Sequence, residues 1–415
     1  MDITVNIFEN IRMIIIEVAK SRGIQDKKLL DKITAEPPKE EIHGDVSTNI
    51  ALLSSKTLNC NPRELAETIG LLLKNNNYID EVQIAGPGFI NIYLNKSIYY
   101  ECCQNVLDLK KQYGKSNYGK SEMVNIEYVS ANPTGPMHIG HARGAVFGDS
   151  LANLLEYVGY NVTREYYIND AGQQIINLAR SVYIRYIEIL SNKEAIFEED
   201  LYPGEYLIPV AKKIIDEFGD KFAPLDEVDW IETFKDYSIK EMMQLIKDDL
   251  SLINIYHDNF VSEQYLKSNG LIDNVVELLS NKDSIYEGIL DPPKGQKNDN
   301  WESRPQLLFK STLFGDDLDR PLKKADNSWT YFAADAAYHY DKYKRDYSSI
   351  INVWGADHGG YIKRIEGIVK SISDSKLNFD VKLCQLVNLS KGGKPVKMSK
   401  RAGNFVTMKN VIDTV

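Results

Sequence analysis

Apolar residues recur at helical spacing near the start of the chain, at Ile7, Ile11, Ile14, Ile15 and Val18, with Glu9, Arg12, Glu17 and Lys20 between them. That pattern predicts an amphipathic helix with one buried face. A second helical stretch is expected around Arg63 to Lys74 and another over Ile98 to Lys111. Between these, Glu81 to Leu94 reads as strand, broken by the turn sequence Gly86-Pro87-Gly88. The polar, glycine-containing run Lys115 to Ser121 marks a domain boundary. The predicted organisation is an α+β domain over 1–109, a linker over 110–121 and a second domain over 122–415.

The second domain opens with a change of period. Val124 to Val129 is β-prone, Asn132-Pro133-Thr134-Gly135-Pro136 breaks it, and a helix is predicted from about His138. Val146, Leu151, Leu154, Leu155 and Val158 recur at helical spacing, and Gly159 stops the run. Val162 to Tyr167 is the next strand. Strand, loop, helix and strand in this order form a βαβ unit, hence a parallel sheet. Such sheets bind ligands at the carboxyl ends of their strands, where the loop after Val129 falls. Residues 191–300 read as a largely helical, polar insertion, and Leu307-Leu308-Phe309 and Ile351-Asn352-Val353-Trp354 as later strands.

Composition narrows the class. The chain has 415 residues, 43% hydrophobic and 26% charged, enough for two or three domains with a substantial core. No run approaches the ~20 apolar residues that span a bilayer. The first helix lacks the basic front and small-residue cleavage site of a signal peptide, so a cytoplasmic protein without membrane contact is expected. A net charge of −10 argues against non-specific attraction to nucleic acid but allows a specific complex through a local basic patch. The four cysteines, Cys60, Cys102, Cys103 and Cys384, lack the two-residue gap of a zinc knuckle, so reduced thiols and no structural zinc are expected.

Two short motifs carry the chemistry. His138-Ile139-Gly140-His141 places two imidazoles three apart at a helix start, on one face and beside the free N–H groups of the first turn. Gly140 leaves no side chain between them. Read alone, the pair better suits a polar helix end. The second motif, Lys397-Met398-Ser399-Lys400, lies in a stretch from Ser390 to Ala402 that also holds Lys391, Lys394 and Arg401 and contains no acid. Gly392, Gly393 and Pro395 mark a loop, which alone would suit any solvated surface. Together the motifs suit a clamp on the phosphates of one nucleotide. In-line displacement at an α-phosphate builds charge on the equatorial oxygens and the leaving pyrophosphate, and pre-placed cations stabilise that transition state more than the ground state.

The flanks Asn132-Pro133-Thr134-Gly135-Pro136-Met137 and Arg401-Ala402-Gly403-Asn404 resemble those of class I aminoacyl-tRNA synthetases. Ile126-Glu127-Tyr128-Val129-Ser130-Ala131-Asn132, Tyr167-Ile168-Asn169-Asp170-Ala171-Gly172-Gln173-Gln174, Tyr202-Pro203-Gly204-Glu205-Tyr206, Trp329-Thr330-Tyr331-Phe332-Ala333-Ala334-Asp335 and Gly355-Ala356-Asp357-His358-Gly359-Gly360 narrow this. They resemble arginyl-tRNA synthetases of the bacterial type, essentially end to end. The resemblance implies an α/β fold with a Rossmann-like parallel-sheet catalytic domain. It implies ATP-dependent activation of L-arginine to arginyl-adenylate, followed by transfer to the 3′ end of tRNA(Arg). It gives catalytic roles to His138, His141, Lys397 and Lys400. The ATP site would include Pro133, Gly135, His138, Gly140, His141, Gly355, Asp357, Lys397, Met398, Ser399 and Lys400. The arginine site would include Glu127, Ser130, Asn132, Tyr331, Asp335 and His358. Magnesium is expected to accompany ATP, and the chain to be a monomer.

Substrate chemistry agrees with that pocket. A guanidinium is planar, permanently charged and carries five donors, best met by carboxylates and a phenol. Glu127 ends the strand before the first motif, and Tyr331 and Asp335, four apart, share a helix face. Without the resemblance, both acids would read as ordinary solvated carboxylates. A hydrogen-bonded site rejects analogues lacking the partner atoms by up to ~10⁴–10⁵, enough to exclude lysine or ornithine without zinc or editing. Family members with a degenerate second motif resemble each other in a lysine three residues before the first histidine. Here that position is Gly135, and the lysine loop is intact.

The front domain resembles the family's tRNA-contacting domain through His43-Gly44-Asp45-Val46-Ser47-Thr48-Asn49 and Pro87-Gly88-Phe89-Ile90-Asn91. Phe89 could stack on a base and Asn91 hydrogen-bond its edge, while a core role for Phe89 fits equally. Beyond Met408 the family continues into a helical anticodon-binding domain, of which residues 409–415 would be the start. Arginine activation in this family is expected to require bound tRNA. A glutamyl or glutaminyl enzyme would need a basic pocket, against Glu127 and Asp335, and a small adenylyltransferase would have no use for the front domain. A non-catalytic, truncated fragment that binds tRNA stays open as an alternative. If the lysine loop supplies the cation, Lys400→Ala lowers arginine activation by about 10²–10³-fold with little effect on folding. Near-wild-type turnover with arginine and ATP would remove that role.

Overall fold

In the computed structural model, which describes residues 6–290, 304–385, 387, 389–391, 394–396 and 406–414, the first amphipathic stretch forms helix α1 (Ile7–Ser21). The Asn6 side chain accepts a hydrogen bond from the Glu9 N–H and caps it, and Ile11 and Ile15 are fully buried. A short helix α2 (Lys27–Leu30), strand β1 (Val46–Thr48) and helix α3 (Ile50–Leu58) follow. The adjacent apolar residues of α3, Ile50 to Leu53, show no period, which is why the sequence pattern left this helix unmarked. Helix α4 (Pro62–Leu73) starts on the Asn61 side chain with proline at its first position. Strands β2 (Ile79–Ala85) and β3 (Phe89–Leu94) pair across Gly86-Pro87-Gly88, and β1 pairs with the other edge of β3, giving the antiparallel order β1-β3-β2. Ile90 and Ile92 of β3 pack with Ile11, Ile15, Ile50 and Ile69 in one core. Helix α5 (Ser97–Leu109) ends this unit, Met1–Lys115. Phe89 is exposed at the start of β3, whereas Asn91 is buried between Ser47 and Gln83 in the ladder. Asn91 therefore does not offer its amide to a base as the sequence reading proposed.

The second unit, Ser116–Val415, begins with the βαβ element: β4 (Met123–Glu127), α6 (Ile139–Tyr157) and β5 (Asn161–Ile168). Helices α7 (Gln173–Ser191), α8 (Ile208–Phe218) and α9 (Glu227–Ser251) pack around an aromatic core in which Tyr183 stacks on Trp230 at 3.9 Å. The segment 191–300 is not helical throughout. Within it, β6 (Asn259–Ser262) returns to the sheet beside β5, and its four residues are too few to reveal a period in sequence. Helices α10 (Glu263–Ser268) and α11 (Leu271–Asn281) come next. Strands β7 (Ile285–Gly288), β8 (Gln306–Phe309) and β9 (Arg320–Pro321) form a separate antiparallel sheet, so Leu307 to Phe309 is a strand but not one of the parallel set.

Helix α12 (Tyr331–Lys344), strand β10 (Ser349–Gly355), helix α13 (Ile362–Ser373) and strand β11 (Asn378–Cys384) complete the main layer. The hairpin β12 (Leu389–Lys391) and β13 (Lys394–Val396) and the short α14 (Met408–Ile412) follow. The five-stranded sheet has the order β11-β10-β4-β5-β6, with every neighbouring pair parallel. Chain order reverses between β4 and β10, and ligands bind α/β sheets at the carboxyl end of such a switch point. No described helix is long and apolar enough to cross a membrane, and no disulfide links the four cysteines.

Helix α6 lies very close to the strand end it follows. A Cβ at Gly148 would sit 2.3 Å from the ring of Tyr128, which is fully buried. Gly148→Ala is therefore expected to destabilise the chain by about 1–3 kcal/mol, the range for overpacking a filled core. Denaturant unfolding that gives wild-type stability for this variant would contradict the contact.

Candidate active site

The site starts where β4 ends. Glu127 is its last residue, and the chain then leaves the sheet through a tight turn closed by a Ser130 N–H to Tyr128 carbonyl hydrogen bond of 3.0 Å. Val129 and Ser130 have φ of +70° and +38° in this turn. A β-branched residue with positive φ is a true backbone outlier, costing about 1–3 kcal/mol. The turn aims Ser130 back at the strand: its Oγ donates to Glu127 Oε1 at 3.0 Å and accepts from the Tyr167 N–H at 3.1 Å. Asn132, next along, donates to Gln174 and accepts from Asn169, so residues of the Asn169-to-Gln174 stretch fix its amide.

Two adjoining cavities open at this point, of about 510 and 470 Å³. Both touch Ser130, Asn132, Gly355 and His358, so they meet across the ends of β4 and β10. The first is acidic and phenolic, lined by Glu127, Tyr331, Asp335, Tyr338 and Tyr361. Thr330 caps α12 by accepting from the Ala333 N–H, and the helix then carries Tyr331 and Asp335 into this cavity one turn apart. Tyr361 donates its hydroxyl to Asp335 Oδ2 at 2.7 Å. Burial raises the Asp335 carboxyl to about 7, with Glu127 and Glu263 adding to the rise and the Tyr361 bond opposing it. Burial, with Asp335 nearby, pushes the Tyr361 phenol upward, so it stays protonated and remains a donor.

Behind Glu127 lies a fully buried Lys342. Its Nζ donates to Glu127 Oε2 at 2.8 Å and to Asn352 Oδ1 at 3.1 Å, and sits 3.8 Å from Glu165. Glu165 is further bound by Arg345, Tyr338 and Asn259. Burial pushes the Glu165 carboxyl up, but Lys342 and Arg345 outweigh this and hold it near 2. The Asn352 amide donates to His339 Nε2, so the proton of that buried ring lies on Nδ1 and is given to the Asp335 carbonyl. Burial holds His339 down at about 3, neutral at all working pH.

The second cavity is lined by His138, Gly140 and His141 on one side and by Gly355, Asp357 and His358 on the other. His138 caps α6, and its ring stacks on His141 at 3.7 Å. The His138 N–H donates to His141 Nδ1 at 3.4 Å, which puts the His141 proton on Nε2 as a donor. The Met137 N–H is held by buried Asp249 of α9 at 2.8 Å, so the helical region braces the motif from behind. The chain beyond the lysine motif docks on the same segment: the Met408 N–H donates to the Met137 carbonyl at 2.8 Å, and the Ile139 N–H to the Val406 carbonyl at 3.3 Å. Residues 397–405, with Lys397, Met398, Ser399 and Lys400, lie outside the described residues. Their chain neighbours on the carboxyl side are thus stitched to the imidazole motif.

All six residues expected to hold arginine, Glu127, Ser130, Asn132, Tyr331, Asp335 and His358, line the first cavity. Of those expected at ATP, His138, Gly140, His141, Gly355 and Asp357 line the second. Pro133 and Gly135 do not: both are buried beneath the turn. Gly135 has φ +151°, and a Cβ there would lie 2.7 Å from the Tyr206 ring, whose hydroxyl donates to the Thr134 carbonyl. A lysine at this position would have to displace Tyr206, so Gly135 shapes the turn without touching the nucleotide cleft. The sequence reading missed Lys342, Tyr338 and Tyr361. The spacing of Tyr331, Asp335, Tyr338 and Lys342 along one helix face could have found two of them.

Comparison with known proteins identifies the family. Residues 7–94 match the model of the arginyl-tRNA synthetase N-terminal domain, and residues 102–217 that of the class I (R) tRNA synthetase catalytic domain. The chain is 48% identical over 99% of its length to an arginine–tRNA ligase of a Ruegeria species, and 49% identical over 99% to one of Bartonella henselae. It spans 71% of each of those proteins. The Thermus thermophilus arginyl-tRNA synthetase structure superposes with a TM-score of 0.64 at 16% identity, covering 98% of this chain and 69% of that one, a likeness of fold. With identity near one half along almost all of its residues, the chain belongs to the arginyl-tRNA synthetase family.

Proposed function

We propose that the chain is an arginine–tRNA ligase that binds L-arginine in the acidic cavity and ATP in the adjoining one. The observation that carries this reading is their shared edge. A guanidinium set against Asp335 and Glu127 leaves the α-carboxylate near Asn132 and His358, which also border the nucleotide cavity. The arginine carboxylate oxygen attacks the α-phosphorus, the bond to the bridging oxygen breaks, and pyrophosphate leaves. The His141 Nε2–H and the first-turn N–H groups of α6 are donors for the charge that develops, joined by Lys397 and Lys400 from the loop anchored at Val406 to Met408. The terminal ribose hydroxyl of tRNA then attacks the arginyl carbonyl and AMP departs. Magnesium enters as the ATP complex.

Because carboxylates and phenols line the pocket, exclusion of lysine follows from unpaired donors and acceptors more than from size. Pyrophosphate exchange tests the reading: exchange is expected with arginine and ATP when tRNA is present and not with lysine. Silence with and without tRNA, while tRNA still binds, would support a tRNA-binding role without turnover.

The pH dependence of arginine binding follows from Asp335. With its carboxyl near 7 in the empty pocket, a permanently charged guanidinium must displace a proton to pair with it at lower pH. The dissociation constant for arginine is therefore expected to rise as pH falls from 7 towards 5, by up to about tenfold per unit. Asp335→Asn should abolish this slope and weaken binding at pH 8 by about 30-fold or more, as for one truncated partner of a charge pair. Calorimetric titration across this pH range checks both, and a flat profile for the unaltered chain would contradict them.

A further inference from the structure

Beneath the acidic cavity lies a charge cluster that the reaction itself does not use. Lys342 has no exposed surface, and its ammonium meets Glu127 on β4, Glu165 on β5 and Asn352 on β10. Its Nζ also lies 4.4 Å over the Tyr338 ring. Glu165 does not line the cavity and is satisfied from several sides by Arg345, Tyr338 and Asn259. Glu127 does line it, and each of its oxygens has one fixed partner, Ser130 on one and Lys342 on the other. A carboxylate oxygen can accept two hydrogen bonds, so each retains a lone pair for a ligand.

The signs of these groups matter together. Four carboxylates converge here, Glu127, Glu165, Asp335 and Asp341, against two cations, Lys342 and Arg345. Without Lys342, Glu127 would face Glu165, Asp335 and the phenols of Tyr167 and Tyr338 with no cation beside it. Like charges that close in a buried site cannot all stay ionised. We propose that Lys342 is a positioning residue for substrate recognition: its buried ammonium fixes the Glu127 carboxylate and keeps it ionised among its acidic neighbours, ready to pair with a guanidinium. The inference rests on the reading of this cavity as the arginine site. A pocket with two unbalanced carboxylates would hold a proton in competition with the substrate. A pocket in which that proton neutralises Glu127 would discriminate less between a guanidinium and its neutral ureido isostere.

Equilibrium binding of L-arginine and of L-citrulline, its neutral isostere, to the full chain separates this from a purely structural role. Lys342→Met keeps the volume and removes the charge. The charge-balanced Lys342→Met/Glu165→Gln double variant removes one acid as well, and guards against loss of folding in the single variant. In both, the dissociation constant for arginine at pH 7 should rise by about tenfold or more, and the arginine-over-citrulline preference should fall by a similar factor. The pH at which arginine affinity levels off should move up by about one unit or more, while ATP affinity stays within about threefold. Arginine binding that is unchanged or tighter, with the unaltered pH profile and preference and only a lower melting temperature, would overturn the proposal and leave Lys342 a structural ion. If the unaltered chain itself fails to prefer arginine, it is the arginine-site reading that falls, taking this one with it.

Discussion

The parallel pairing of β10 with β4, from Ser349 opposite Val124 to Asn352 opposite Glu127, is the constraint on which the site depends. These strands are more than 200 residues apart in the chain, yet their register decides which side chains meet. It sets Asn352 beside Glu127, and because α12 leads directly into β10, it also brings Asp335, Tyr338 and Lys342 over the end of β4. The reversal of strand order at this pair leaves the crevice in which both cavities open. A slip of one residue would turn Glu127 to the opposite face of the sheet. The docking of Val406 to Met408 against Met137 to Ile139 adds the second long-range closure, tying the chain near its end to the imidazole motif.

Local costs cluster around the same point. Val129 adopts a left-handed conformation, charged groups are buried at Glu165 and Lys342, and an acid sits at Asp335 where burial disfavours its ionised form. None of these favours stability in isolation. Each serves to hold a polar group at the pocket wall: the strained turn aims Ser130 at Glu127, Lys342 fixes the opposite oxygen, and Tyr361 orients Asp335. Donors and acceptors already locked in place lose little freedom when substrate arrives, which is how preorganised polar sites gain selectivity. The surrounding aromatic and aliphatic cores of α6 to α9 and α11 to α13 offset these costs.

Much of this was legible in the sequence where a pattern repeats. The βαβ unit declared itself by its switch of period, and Tyr331 with Asp335 by their helical spacing. Strand β6 did not, because Asn259 to Ser262 is too short to show alternation, and α3 did not, because its apolar residues are contiguous. Lys342 was overlooked since a lysine on a helix reads as solvent-facing, and only the tertiary register buries it against Glu127 and Glu165. The left-handed turn at Val129 has no sequence signature, as a β-branched residue is the last expected there. The resemblance assigns Pro133 and Gly135 to the nucleotide, whereas both are buried here and Gly135 packs against Tyr206. Asn91 shares a strand face with Phe89, two residues before it, but Phe89 is exposed at the strand's start whereas Asn91 lies buried between β1 and β2.

In the proposed complex, Asp335 and Glu127 grip the guanidinium of arginine at the switch point and its carboxylate is directed to the imidazole cleft. A crystal structure with a non-hydrolysable arginyl-adenylate analogue tests it most directly. Guanidinium nitrogens are expected about 2.7–2.9 Å from oxygens of both carboxylates, as in charge-assisted pairs, and the phosphate beside His138 and His141. A guanidinium lodged elsewhere in the cavity, or an adenylate turned so that its phosphate lies away from the two histidines, would contradict it.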